Sequence, residues 1–190
     1  MADAQKAYEL LMRAEGRKHH TSEHDRGGET AAGITRRWWP DWPGWAMLDD
    51  GVTWPNAELE EETYRFYVGS RVRHQYGGFW DIISGDDIAV QDVANRLMLF
   101  AVVAGEQRAV IALQRCLNMV QQIDMDGAIG PQTLAALNSL GSGTEWLLHQ
   151  FEREEVDHYI GLVLRDLKQD QAAATQWNNL RGWIKRSRLA

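Results

Sequence analysis

Along residues 3–15, Ala4, Ala7, Tyr8, Leu11 and Ala14 recur at helical spacing, and the stripe ends at Glu15 followed by Gly16. This pattern predicts an amphipathic helix with one buried face and Glu15 at its edge. Gly16 is a natural C-terminal cap, so the carboxylate falls in the last turn, where the helix dipole disfavours negative charge. Partial burial acts in the same direction, and both favour a protonated carboxyl, the state a general acid needs. Ten positions on, Asp25-Arg26-Gly27-Gly28-Glu29-Thr30 is too glycine-rich for helix and rich in polar chemistry. Residues 18–35 therefore read as a loop or small hairpin on which reactive groups are displayed.

The rest of the chain is helical in pattern. Asn56 caps a helix over residues 56–75, with Glu58, Glu60, Glu61 and Glu62 early and Arg65, Arg71 and Arg73 later, in the order the dipole favours. A short helix is expected over residues 43–48, a dense apolar helix over 87–103 and another over 106–119. Pro131 starts a helix over 132–140, and Thr144 caps a long one to about residue 166. Asp124, Asp126 and Gly127 hint at a calcium loop, but the twelve-residue pattern and its closing Glu are absent, so a helix-entry turn accounts for them. The fold class expected is mainly α, with at most one small β-hairpin near residues 20–35.

A chain of 190 residues buries a substantial core. Its net charge of -7 argues against nucleic acid and gives no global attraction to anionic surfaces. The single cysteine, Cys116, excludes an internal disulfide. The N-terminus interrupts its apolar residues with Asp3, Lys6, Glu9 and Arg13, unlike a secretory signal, and no stretch approaches the roughly 20 apolar residues of a membrane span. Membrane contact is expected only through the basic C-terminal segment, where Arg181, Lys185, Arg186 and Arg188 alternate with Trp177, Leu180, Trp183 and Ile184. A monomer without cofactor is expected.

Glycosidases pair a proton donor for the departing oxygen with a second carboxylate that handles water or the developing positive charge. Glu15 and Asp25 suit those roles, and Thr30 is placed to orient an attacking water. Glu23 and Glu29 are alternatives for the second carboxylate. Nine tryptophans are many for this length, five of them at Trp38, Trp39, Trp42, Trp45 and Trp54. Sugars stack on aromatic faces, which makes Trp38, Trp39 and Trp80 candidate substrate contacts, with Trp42 a further option; a packed core is the alternative use of the same rings.

Two rival readings stand beside this one. Glu15 and His19 have one-turn spacing, with His20 and His24 nearby, which would suit a metal-dependent hydrolase, although no His-Glu-x-x-His motif is present. A binding-only protein would keep the same scaffold and need no acid at position 15.

Ala14-Glu15-Gly16, Asp25-Arg26-Gly27-Gly28-Glu29-Thr30 and Gly33-Ile34-Thr35 resemble, in order and spacing, the Glu-Gly-Gly, Asp-x-Gly-Gly-x-Thr and Gly-Ile-Thr signature of glycoside hydrolase family 108, the N-acetylmuramidases. Phe79-Trp80-Asp81 is similar to the family's Tyr-Trp-Asp element. Residues 112–115 and 126–134 resemble its predicted peptidoglycan-binding region, and Gly182-Trp183-Ile184-Lys185-Arg186 resembles its closing Gly-Trp-x-x-Arg. One departure is Arg17, which stands where the family has its second glycine. The resemblance implies a lysozyme-like fold, with a catalytic lobe over 1–84 and a wall-binding helical lobe over 85–190 packed as one unit. It also implies an enzyme of the phage endolysin type that cuts the bond between N-acetylmuramic acid and N-acetylglucosamine, with Glu15 as its acid. Such an enzyme would be made in the host cytoplasm and reach the periplasmic wall after holin-type release.

Overall fold

The computed structural model describes residues 1–21, 28–69 and 78–168, together with Leu180 and Ile184. Among the described residues the chain is mainly helical, with eight α-helices and one small sheet. It divides into two compact units, one of residues 4–81 and one of residues 1–3 with 82–190. No described helix is long and apolar enough to cross a membrane.

In the first unit, α1 (Ala4–Glu15) buries Ala7, Tyr8, Leu10, Leu11 and Met12 and stops at Gly16, whose φ of +78° only glycine adopts cheaply. Three short antiparallel strands follow: β1 (His19–Thr21), β2 (Glu29–Ala31) and β3 (Ile34–Thr35). The sheet thus extends one strand beyond a single hairpin, because β3, at two residues, is too short to show a period in sequence. Next come α2 (Gly44–Asp49) and α3 (Ala57–Val68). Asn56 caps α3 through its side chain, which accepts from the Leu59 amide at 2.9 Å. The helix ends at Gly69, φ +96°, short of the expected residue 75; a Cβ there would lie 2.3 Å from the Asp81 carboxylate.

The aromatic residues form the core of this unit. Trp42 and Trp45 are each 2% exposed and meet edge to face, and Trp42, Trp39 and Phe79 all pack around Phe66. Both buried indoles find acceptors: Trp42 Nε1 donates to the Glu62 carbonyl at 3.3 Å, and Trp45 Nε1 to the Trp39 carbonyl at 2.7 Å. The short α4 (Phe79–Ile82) carries Phe79 and Trp80 inward.

In the second unit, α5 (Gln91–Ala104) is buried almost all round, as its dense apolar sequence predicts. α6 (Glu106–Asn118) and α8 (Thr144–Lys168) pack against it, and α7 (Pro131–Asn138) packs on α6. Leu97, Leu113, Leu117 and Leu147 are fully buried, each stabilising the fold by about 1.5–3 kcal/mol. Arg96 and Glu155 form a buried ion pair at 3.3 Å; burial pushes the Glu155 carboxyl up to about 8, against the pull of Arg96. The turn entering α7 is organised by Gln114, whose Nε2 reaches Asp126 Oδ1, the Ala128 carbonyl and Thr133 Oγ1, while its Oε1 accepts from the Gly127 amide. Asp126 thus serves as a turn residue, and its side chain also accepts from the Ala128 amide. Apart from Leu180 and Ile184, the basic amphipathic segment at the C-terminus lies outside the described residues.

Candidate active site

Glu15 is half-buried at the last residue of α1. What faces it is the tight turn between β2 and β3, where Ala31 pairs with Ile34 and only Ala32 and Gly33 connect the strands. Both turn residues have positive φ, +48° and +82°, as a hairpin connection of the type I′ kind requires. Glycine adopts this backbone freely, whereas alanine in the left-handed region carries strain of order 1 kcal/mol.

Two hydrogen bonds hold the strained residue in place. The Ala32 amide donates to the Lys18 carbonyl at 2.9 Å, and the Tyr67 hydroxyl, from α3, donates to the Ala32 carbonyl at 2.7 Å. A Cβ on Gly33 would fall 2.8 Å from the Tyr67 hydroxyl oxygen and 3.0 Å from both Cγ and Oε2 of Glu15. The Glu15 carboxyl, the backbone of Gly33 and the Tyr67 hydroxyl therefore share one close-packed junction of helix and sheet. Neither Tyr67 nor the spacing role of Gly33 was legible as functional in the sequence. The available signal was a tyrosine on the apolar face of α3, since a buried phenol seeks a hydrogen-bond partner.

Thr30 lies on β2, paired with His20 of β1 and Thr35 of β3. It is 9% exposed, and among the described residues its Oγ1 is buried without a hydrogen-bond partner. An unused buried hydroxyl is destabilising unless it serves a ligand or water. Asp25 and Glu23, the first two candidates for the second carboxylate, lie outside the described residues, as does His24.

Glu29, the third candidate, is already committed. Its Oε1 meets His19 Nε2 at 2.8 Å and its Oε2 accepts from Arg36 at 3.0 Å. Burial pushes its carboxyl up, but hydrogen bonds from His19 and Arg36 outweigh burial and hold it below the usual range. Arg36 also binds Asp49 through two hydrogen bonds, at 2.8 and 2.5 Å. The one-turn relation of Glu15 to His19 does not hold, because α1 ends at Glu15 and His19 begins β1.

The tryptophans separate by exposure. Trp38 is 64% exposed, with the Arg37 guanidinium 5.3 Å from its ring centre. Trp39 is half-buried and packs its edge on Phe66. Trp80 is 1% exposed and presents no ring face to a sugar; it serves the core, as does Trp42. A cavity of about 540 Å³ opens beside Arg17 and is lined by Trp54, Pro55, Asn56, Ala57 and Glu60. At its edge, Arg17 binds Glu60 through two nitrogens, at 2.6 and 2.8 Å, and the Tyr8 hydroxyl donates to Glu60 at 2.8 Å.

Residues 8–105 match the family model described as glycosyl hydrolase 108, and residues 108–188 match the one described as a predicted peptidoglycan domain. No curated protein matches the chain. Among solved structures, that of Brucella abortus SagA is similar, with a TM-score of 0.59 and 22% identity over 97% of this chain and 95% of that one. At that identity the likeness speaks for the fold alone.

Proposed function

The chain belongs to glycosyl hydrolase family 108, and from that premise we propose that it cleaves the β-1,4 bond between N-acetylmuramic acid and N-acetylglucosamine in peptidoglycan. The Glu15 carboxyl, packed against the Gly33 turn at the junction of α1 with the sheet, is the observation that carries the assignment. In this reading Glu15 gives its proton to the glycosidic oxygen as the bond from that oxygen to the anomeric carbon breaks. The electron pair leaves with the oxygen, and positive charge grows on the sugar ring. Asp25 is the proposed second carboxylate, because Glu29 is held by His19 and Arg36. Thr30 has a hydroxyl available to orient the water that completes hydrolysis. Trp38 and Trp39 are the proposed sugar contacts. The setting that suits this chemistry is bacteriolytic, of the phage endolysin kind.

Glu15→Gln tests the assignment, because the amide keeps the shape but has no acidic proton. The variant should lose more than about a hundredfold in turbidity loss of purified sacculi, within the range that general acid catalysis contributes, while still sedimenting with them. Undiminished lysis would remove Glu15 from the acid's role. A wild-type protein that binds sacculi but never lyses them would favour the binding-only alternative.

A further inference from the structure

The second unit contains a groove of about 500 Å³ between α6 and α8, a size typical of sites for small ligands. Its walls differ in charge. On the α6 side stand Arg108 and Arg115, one face of the helix apart by seven residues, with Ile111 and Ala112 between them; on the α8 side stand Glu154, Asp157 and His158. Part of this charge is used internally. Arg115 pairs with Glu154 across one end of the groove, and one Arg108 nitrogen donates to the Ala104 carbonyl at 2.8 Å.

What remains is an exposed guanidinium edge on one wall and, on the other, an exposed Asp157 with no ion pair among the described residues. Between them, His158 packs edge-on against Phe100 at the apolar base. Burial, and then the nearby Arg108 and Arg165, hold its imidazole below the usual range, so at neutral pH it adds a hydrogen-bonding group rather than a third cation.

A cation and an anion across an apolar floor are complementary to a ligand that carries a carboxylate and an amine together. The glycan strand of peptidoglycan does not fit that description, since N-acetylated sugars have no amine charge. The peptide stem does: it carries free carboxylates and, on its diamino acid, an ammonium group. We propose that the groove between α6 and α8 binds the peptide stem of peptidoglycan, with a stem carboxylate at Arg108 and the diamino-acid ammonium at Asp157. This rests on the wall-hydrolase reading for its choice of ligand, and it gives the second unit a role of its own. Recognition of stems that keep a free ammonium would hold the enzyme on the wall while the glycan is cut.

The test uses the full chain carrying Glu15→Gln, so that binding is read without cleavage, and the synthetic tripeptide L-Ala-γ-D-Glu-meso-diaminopimelate as probe. Titration calorimetry should detect tripeptide binding. Arg108→Ala and Asp157→Asn should each weaken it about tenfold, the effect of losing one charge-assisted hydrogen bond. Arg108→Lys, which keeps the charge, should recover part of the loss, and unchanged melting temperatures should show that the variants fold. No tripeptide binding, or binding that none of these substitutions changes, overturns the proposal. So does a chitin tetrasaccharide whose affinity falls with the same two substitutions, because the groove would then be a sugar site. The two readings fail separately: lysis of sacculi by the Glu15 protein without tripeptide binding refutes the stem site alone, whereas tripeptide binding without any lysis refutes the hydrolase reading alone.

Discussion

The Glu15 carboxyl and Gly33 are packed so closely that a single methyl group on the glycine would sit 3.0 Å from Glu15 Oε2. At φ +82° that methyl also meets backbone strain. Gly33→Ala should therefore press on the Tyr67 hydroxyl and the Glu15 carboxyl, shift the carboxyl by a few tenths of an ångström and lower lytic activity by roughly threefold to tenfold, since a displacement near 1 Å costs about a hundredfold. Gly51→Ala is the control: its φ is +84° but nothing lies within 4 Å of the added carbon. It should cost about 1 kcal/mol in a thermal melt and leave lysis intact. Equal activity losses in the two variants would show that strain, not contact with Glu15, is responsible.

Tyr67 holds the same turn from α3. Tyr67→Phe removes the donor to the Ala32 carbonyl, which is strained and buried, and should destabilise the protein by about 1–2 kcal/mol. Since Tyr67 acts through the turn and not on the sugar, turnover should fall with little change in KM. A rise in KM with unchanged turnover would point to a substrate contact instead.

The signals that were legible in sequence are local ones. Gly16 ends α1, Asn56 begins α3 and Pro131 opens α7, each because a cap or a fixed φ acts within a few residues. The place of Glu15 in the last turn of α1 was legible for the same reason. The end of α3 at Gly69 was not, because the polar residues beyond it continue a plausible helical charge pattern; the helix ends where Gly69 takes φ +96°, at a place where Asp81 packs so close that a Cβ would lie 2.3 Å from its carboxylate. Tyr67 and Gly33 are 34 positions apart, and no local pattern announces that α3 folds onto the hairpin turn. Trp38 and Trp80 look alike as residues, yet one is 64% exposed and the other 1%, a difference set by packing.

Thr30 offers a case in which stability and activity should move in opposite directions. Its buried Oγ1 has no partner among the described residues, so Thr30→Val keeps the shape and removes an unsatisfied group. Stability should stay level or rise by up to about 1 kcal/mol. Lysis should drop more than about tenfold if the hydroxyl orients water. A destabilised variant with full activity would make Thr30 a structural residue.

Arg17, which departs from the family's glycine, binds Glu60 at the edge of the first unit. Arg17→Gly should cost about 1 kcal/mol or less, since the pair is 39% and 33% exposed, and should leave lysis within about twofold. The hydrogen bond from Arg17 is the largest cause holding the Glu60 carboxyl below its ordinary 4.5. A carboxyl lowered in the folded state contributes stability above its unfolded value, and that contribution disappears as pH falls through the folded one. The gap in melting temperature between wild type and Arg17→Gly should therefore be steady at neutral pH and close below about pH 4. A gap that persists in acid would assign the effect to backbone freedom at position 17.

Which bond the enzyme cuts is reported directly by the reducing ends of its products. Purified sacculi digested to completion, reduced with borohydride and analysed by mass spectrometry should yield muropeptides ending in reduced N-acetylmuramic acid. Products ending in reduced N-acetylglucosamine, or free peptides with the glycan left intact, would contradict the proposed cleavage.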